Sequence, residues 1–465
     1  MAAEISTGMW QPTPRVAPVY AERAETAGPW GFLEFFVISQ TAFPAILFLP
    51  GTQALRLPVR VSAYAIGLLA LVWWGRQLKK VAAHPSQVWL LVVLAWLVIM
   101  IFHPTTNTTL AGVAQVMLYL AVLSPVLWSP GLVRNVKQLE RLLALLLICN
   151  GINSLVGVLQ VYDPKTWMPA EFSIIQRTSK FGLGSVSYLN DAGHLIVRPP
   201  GLFDNPGAVC GPGMIAVLLG LVFTLNAKKP WQRVGALTLA GLGLAAIYLS
   251  QVRSALLIAG GMTLIYLFIL GLAQKNRKQA GQALALAFFV GFIAFPLAVR
   301  FGGRAAQTRF STLTVTNPIA MYYEAKRGGM VEEAFTTLLP QYPVGAGLGR
   351  WGMMRLYFGD EYNTDAPRIW SEIQLPSWIL DGGVPLLLLY LIALGVTTAR
   401  EWRVVRQTED AQLAAWAPAI FAANCGTLAF IFSFTPFTAP IGMQYWFLVG
   451  ALHGASEAQR RRRAP

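Results

Sequence analysis

Long apolar runs separated by short polar connections recur from one end of this chain to the other, and nothing else in the sequence constrains its fold as much. A helix that crosses the hydrocarbon of a bilayer needs roughly 20 mostly apolar residues. By that rule about twelve segments qualify: 29–50, 60–75, 87–102, 108–128, 140–161, 205–226, 232–251, 253–273, 280–299, 376–397, 411–433 and 436–454. Glu34 and Pro44 interrupt the first, and the second and third are short for a full span. The expected fold is all-α, a polytopic integral membrane protein. Composition agrees, because 55% of the residues are hydrophobic and only 12% charged, where soluble domains carry about 25% charged residues.

The basic residues set the expected orientation, since short cytoplasmic connections collect Lys and Arg. They follow the even-numbered segments: Arg76, Lys79 and Lys80; Arg134, Lys137 and Arg141; Lys228, Lys229 and Arg233; Lys275, Arg277 and Lys278; Arg400, Arg403 and Arg406. The C-terminal tail ends in Arg460–Arg463. Connections after odd-numbered segments are poorer, with Arg56 and Arg60 the exceptions. This pattern predicts both termini in the cytoplasm. It divides the chain into a cytoplasmic tail (1–28), nine helices over 29–299 with an extracytoplasmic loop at 162–204, a large extracytoplasmic loop (300–375) between the ninth and tenth helices, three helices over 376–454, and a basic cytoplasmic tail (455–465). The first tail lacks the apolar core and cleavage site of a signal peptide. The same placement assigns the net charge of +15 to topology and anionic membrane lipids rather than nucleic acid.

Cys149, Cys210 and Cys425 lie far apart in apolar runs and read as buried thiols. His84, His103, His194 and His453 have no metal-ligand spacing, so neither a metal nor any other cofactor is expected. Three polar constellations remain. The first is Arg198-Pro-Pro-Gly-Leu-Phe-Asp-Asn-Pro206, running into an apolar helix that Asp204 or Asn205 can cap. An arginine beside a helix N-terminus suits a phosphate, and equally suits a capped re-entry turn whose arginine snorkels to headgroups. The second is Ser250-Gln-Val-Arg-Ser254 between two apolar runs, where Arg253 either faces a cavity or marks an interfacial turn. The third is the 300–375 loop itself. It carries Arg309 and Arg350 as secondary anion contacts, the glycine run Tyr342–Gly352 suited to close backbone approach to a ligand or to a sharp turn, and Trp351 and Trp370 as platforms for a sugar ring. Glu372 lies just before a helix bearing Asp381-Gly-Gly383; it can act as a general base or pair with Arg368.

In this order the motifs "RPPGLFDNP" at 198–206, "SQVRSALL" at 250–257 and "YPVGAGLGRWG" followed by "LDGGVP" resemble the bacterial O-antigen ligase and O-antigen (exopolysaccharide) polymerase superfamily of polytopic membrane glycosyltransferases. The resemblance covers roughly residues 90 to 450. It implies metal-independent transfer of a glycan from a polyprenyl-diphosphate-linked donor to a hydroxyl of a glycan or lipid-linked acceptor. Arg198 and Arg253 match the family's diphosphate-holding arginines, whose planar forks suit an oxyanion. Family ligases place a histidine about ten residues before the acidic step of the last motif. This chain has Glu372 there, which favours chain polymerisation over transfer to lipid A core. A flippase and a chain-length regulator are the expected accessory partners. The alternative is a secondary transporter or lipid-linked glycan exporter without chemistry, although the paired broken helices of many transporters are not evident in the sequence.

Overall fold

The computed structural model describes residues 28–49, 51–74, 83–168, 187–189, 195–203, 206–274, 276–311 and 327–463. Among these residues the architecture is helical, with one short antiparallel hairpin. The helices that matter for position are α1 (Phe32–Thr41), α2 (Arg56–Trp74), α3 (Gln87–Met100), α4 (Thr109–Leu132), α5 (Val136–Tyr162), α6 (Cys210–Asn226), α7 (Pro230–Ser250), α8 (Arg253–Phe268), α9 (Arg277–Ser311), α10 (Gly352–Phe358), α11 (Gln374–Gln407), α12 (Ala411–Ala429) and α13 (Pro440–Arg463). The hairpin pairs Ser187 with Val197 and Leu189 with Leu195, inside the shorter loop.

Among the described residues, seven helices are long and apolar enough to cross a membrane, and α1, α3 and α6 are shorter apolar helices. The chain is therefore a polytopic membrane protein by the character of its helices. Helix starts follow local chemistry. Thr108, Asn135 and Asp410 accept backbone N–H groups at the N-termini of α4, α5 and α12, supplying partners that the first turn of a helix lacks. Pro230 opens α7 at a position that needs no N–H, and Gln251 ends it in the left-handed region at φ 57°.

Three expected boundaries move. The first segment is not one helix: α1 stops at Thr41 and continues as a 3-10 turn over Phe43–Phe48, with Pro44 at its start, because proline cannot donate to the preceding turn. Glu34 does not break α1, since it is buried and paired with Arg141 of α5. The 300–375 loop opens as helix, because α9 runs to Ser311, and it is helical again over 329–341. Finally, α11 runs ten residues beyond the expected 397, to Gln407, so Glu401 lies in the buried bundle instead of in a connection.

The core centres on α13, whose side chains from Gly442 to Ser456 are all buried. Around its N-terminal end Trp378, Tyr390, Phe437, Tyr445 and Trp446 form one aromatic cluster, with Trp378 and Tyr390 stacked at 4.5 Å between ring centroids. Helices α6 and α7 approach through small residues. A side chain on Gly213 would come within 2.8 Å of the Gly243 carbonyl, the close contact that drives helix association where lipid supplies no hydrophobic force.

Candidate functional site

The Arg198 turn is fastened to one end of α5. Gln160 clasps the backbone of Gly201 twice: its side-chain amide donates to the Gly201 carbonyl at 2.9 Å, and its carbonyl oxygen accepts the Gly201 N–H at 2.8 Å. Asn153 Oδ1 accepts the N–H of Leu202 at 3.0 Å. Gly201 has φ 64° and its α-carbon faces Asn153 with no space for a side chain, so glycine is required there. Pro199 and Pro200 hold the approach extended. The candidate caps Asp204 and Asn205 lie outside the described residues.

Three segments then converge on Gly207. Its N–H donates to the Arg198 carbonyl at 3.3 Å. A side chain on it would meet Arg198 Nη2, Val252 and the Ser250 carbonyl, all at about 3 Å. The Arg198 guanidinium Nε donates to the Ser250 carbonyl at 3.4 Å. Ser250 and Gln251 are buried, and Arg253 is the first residue of α8. The two arginines singled out in the sequence, separated by more than fifty positions, thus belong to one locus. The N-terminal ends of α6 and α8 also lie there, and the helix dipole places positive potential at such ends. The structure adds Arg60, whose Nη1 donates to the Leu202 carbonyl at 3.4 Å. Its one signal in the sequence is that it breaks the charge alternation of the connections.

Glu372 lies in the strand-like approach to α11. Its side chain is 35% exposed, pairs with Arg327 and accepts the Trp370 indole N–H at 3.0 Å. Arg368 is not its partner; that guanidinium lies over the Trp370 ring at 5.6 Å. Trp370 is 63% exposed, as a sugar platform requires. The turn before α13 joins the two parts. Gln374 Oε1 accepts the Phe437 N–H at 2.9 Å, and four residues later Ile441 lies against Gly211 in the first turn of α6.

The glycine run turns sharply, with Gly345, Gly347 and Gly349 at positive φ, and approaches other backbone closely. Gly347 packs on the backbone of Thr105 and Thr106, and Gly345 on Gly382, within 3 Å of where a side chain would start. Thr105 Oγ1 donates to the Ala346 carbonyl at 2.7 Å, and the Leu348 N–H reaches Thr106 Oγ1 at 3.1 Å. The Ala346 N–H donates to Leu380 at 2.7 Å, and the Val384 N–H to Pro343 at 2.8 Å. The close approach is thus to the α3–α4 connection and the α11 break, not to a ligand. Asn107 extends the clamp by exchanging two hydrogen bonds with the backbone of Asp360, at 2.9 and 2.6 Å.

Two assigned roles change with it. Arg350 is buried, and its guanidinium donates to the carbonyls of Ala346 (2.8 Å) and Pro367 (3.2 and 3.1 Å), so it braces the loop backbone instead of presenting itself to an anion. Burial pulls its guanidinium below the ordinary range. Trp351 is likewise buried, and its indole N–H donates to Asp381 at 2.8 Å, so its ring is no platform for a glycan. His103 sits beside this clamp with Nδ1 at 3.0 Å from Thr105 Oγ1. Partial burial, and then the Arg350 charge, hold its imidazole below the ordinary value. Arg309 lies on the extension of α9, and its side chain is outside the described part of the structure.

Among the described residues no three His, Cys, Asp or Glu side chains come together as metal ligands. Neither the protein-family models nor the curated proteins compared with the chain give a match.

Proposed function

We propose that this protein is an inner-membrane glycosyltransferase that polymerises or ligates polysaccharide units. It takes them from a polyprenyl-diphosphate-linked donor and joins them to an acceptor hydroxyl on the extracytoplasmic side. The observation that carries this reading is the meeting of Arg198 with the Ser250–Arg253 turn at two helix N-termini. Such a locus matches the chemistry of a leaving diphosphate, which gains negative charge as the anomeric carbon–oxygen bond breaks. Arg60 adds a third guanidinium to its rim.

In this proposal Glu372 removes the proton of the acceptor hydroxyl as its oxygen bonds to the anomeric carbon, and Trp370 offers an exposed ring to the sugar. Arg309 remains a secondary anion contact by its place on α9. The topology that goes with it has about twelve spans, both termini in the cytoplasm, and the clamped loop outside. The basic connections of the sequence support that orientation. In cells a flippase would supply the donor and a chain-length regulator would set the product.

The test uses purified protein in lipid nanodiscs with a defined polyprenyl-diphosphate glycan and its acceptor. Arg253→Ala and Glu372→Gln are each expected to lower product formation by roughly a hundredfold or more. If both variants still make full-length product at the normal rate, the assignment is wrong.

A further inference from the structure

The other end of α11 holds an acid for which glycosyl transfer has no use. Glu401 is 3% exposed, and its Oε1 accepts a hydrogen bond from Asn424 Nδ2 on α12 at 2.6 Å. Among the described residues no cation pairs with it: the adjacent Arg400 turns instead to Glu457 on α13. Asn424 is 2% exposed, and its Oδ1 has no hydrogen-bond partner among the described residues. The Cys425 thiol of α12 and the Tyr445 hydroxyl of α13, the latter beside Thr398 of α11, also face this point.

An ionised carboxylate in such a place is doubly unfavourable. It is buried without a counter-charge, and it leaves an amide oxygen unpaired next to an anion. A carboxylic acid removes both costs at once, because its O–H is the donor that the Asn424 oxygen lacks. Asp381, on the same helix, makes the contrast. It receives Trp351 Nε1 (2.8 Å), Tyr119 Oη (2.7 Å) and Gln115 Nε2 (3.2 Å), three donors and no orphan acceptor. That surrounding suits a carboxylate, whereas the surrounding of Glu401 suits an acid.

We infer that Glu401 is a buried proton-binding site: it carries a proton on Oε2 and donates it to Asn424 Oδ1. The result is a neutral acid–amide bridge with two hydrogen bonds, which ties α11 to α12 remote from the proposed transfer site.

The full-length protein in detergent or nanodiscs tests this by infrared spectroscopy and thermal unfolding. The wild type should show the carbonyl stretch of a protonated carboxyl group at neutral pH. That band should disappear in Glu401→Gln and persist in Trp351→Phe, which alters only the Asp381 surroundings. Glu401→Gln should unfold at the wild-type midpoint at neutral and mildly alkaline pH, because a glutamine amide reproduces both hydrogen bonds. Asn424→Leu should lower the midpoint by a few degrees. The inference is overturned if the band is absent from the wild type or survives in Glu401→Gln. It is also overturned if Glu401→Gln fails to fold, or if wild-type stability depends on sodium in place of choline, since each would mean a charged carboxylate held by a cation.

Discussion

Trp351 donates its indole N–H to Asp381 across 2.8 Å, a side-chain bond that adds to the Ala346–Leu380 and Val384–Pro343 backbone bonds joining the large loop to the break in α11. Asp381 is fully buried and also receives Tyr119 and Gln115 from α4. Three elements distant in sequence therefore share one carboxylate. It fixes the start of α11, and with it the approach that carries Glu372.

Trp351→Phe removes one donor and leaves the buried carboxylate with two. Leaving a buried polar group short of a partner costs about 1–3 kcal/mol, so the thermal midpoint in detergent should fall. The double variant with Tyr119→Phe should depart from additivity, because both donors serve the same oxygen pair. An unchanged midpoint in the single variant would remove Asp381 from its place as the loop anchor.

Gly383 has φ 64°, and a side chain there would land on the Pro343 carbonyl. Gly383→Ala should abolish the monodisperse folded fraction, since the left-handed conformation alone costs an alanine about 1–2 kcal/mol and the clash adds to it. Gly395, twelve residues later on the same helix, faces open space. Gly395→Ala should be neutral or stabilise by up to about 1 kcal/mol. Equal tolerance at the two positions would contradict the clamp.

Arg350 and Arg253 should separate cleanly in a paired measurement of stability and turnover. Arg350→Met removes the bonds to Ala346 and Pro367 and should lower the unfolding midpoint while turnover per folded molecule stays near wild type. Arg253→Lys keeps a charge but loses the planar fork. It should keep the folded yield and lose roughly ten- to hundredfold in turnover, the worth of one or two charge-assisted hydrogen bonds. The reverse outcome would return Arg350 to the anion site.

Acid should destabilise the protein through His84. Its Nδ1 accepts the Ser86 N–H at 3.2 Å, so the ring proton sits on Nε2. Burial first, then His453 and Arg400, push the imidazole down to about 3 from an ordinary 6.5. The unfolded chain therefore takes up a proton below about pH 6.5 that the folded protein refuses. Stability is fully present above that pH and falls by up to about 1.4 kcal/mol per pH unit as acid is added, levelling near the folded value. Midpoints against pH for wild type and His84→Gln check this, and parallel curves would refute it.

Hydropathy and charge made the helices legible, because crossing a bilayer imposes length and apolarity on each segment separately. The position of Arg253 was legible for the same reason: a guanidinium between two apolar runs is visible without any partner. Other placements were not, because they depend on direction and on remote partners. Arg350 and Trp351 look like surface binding groups in a polar stretch; the glycine turns beside them point both inward. Asp381 takes two of its donors from α4, more than 250 positions away, a distance no local pattern spans. Glu401 stands among the arginines of a basic stretch, and only the continuation of α11 through it and the packing of α12 bury it. The linear chain dictated which segments are helices and where the charges lie along them. Packing dictated which charges are buried, because burial and hydrogen-bond partners belong to pairs of segments and not to either one.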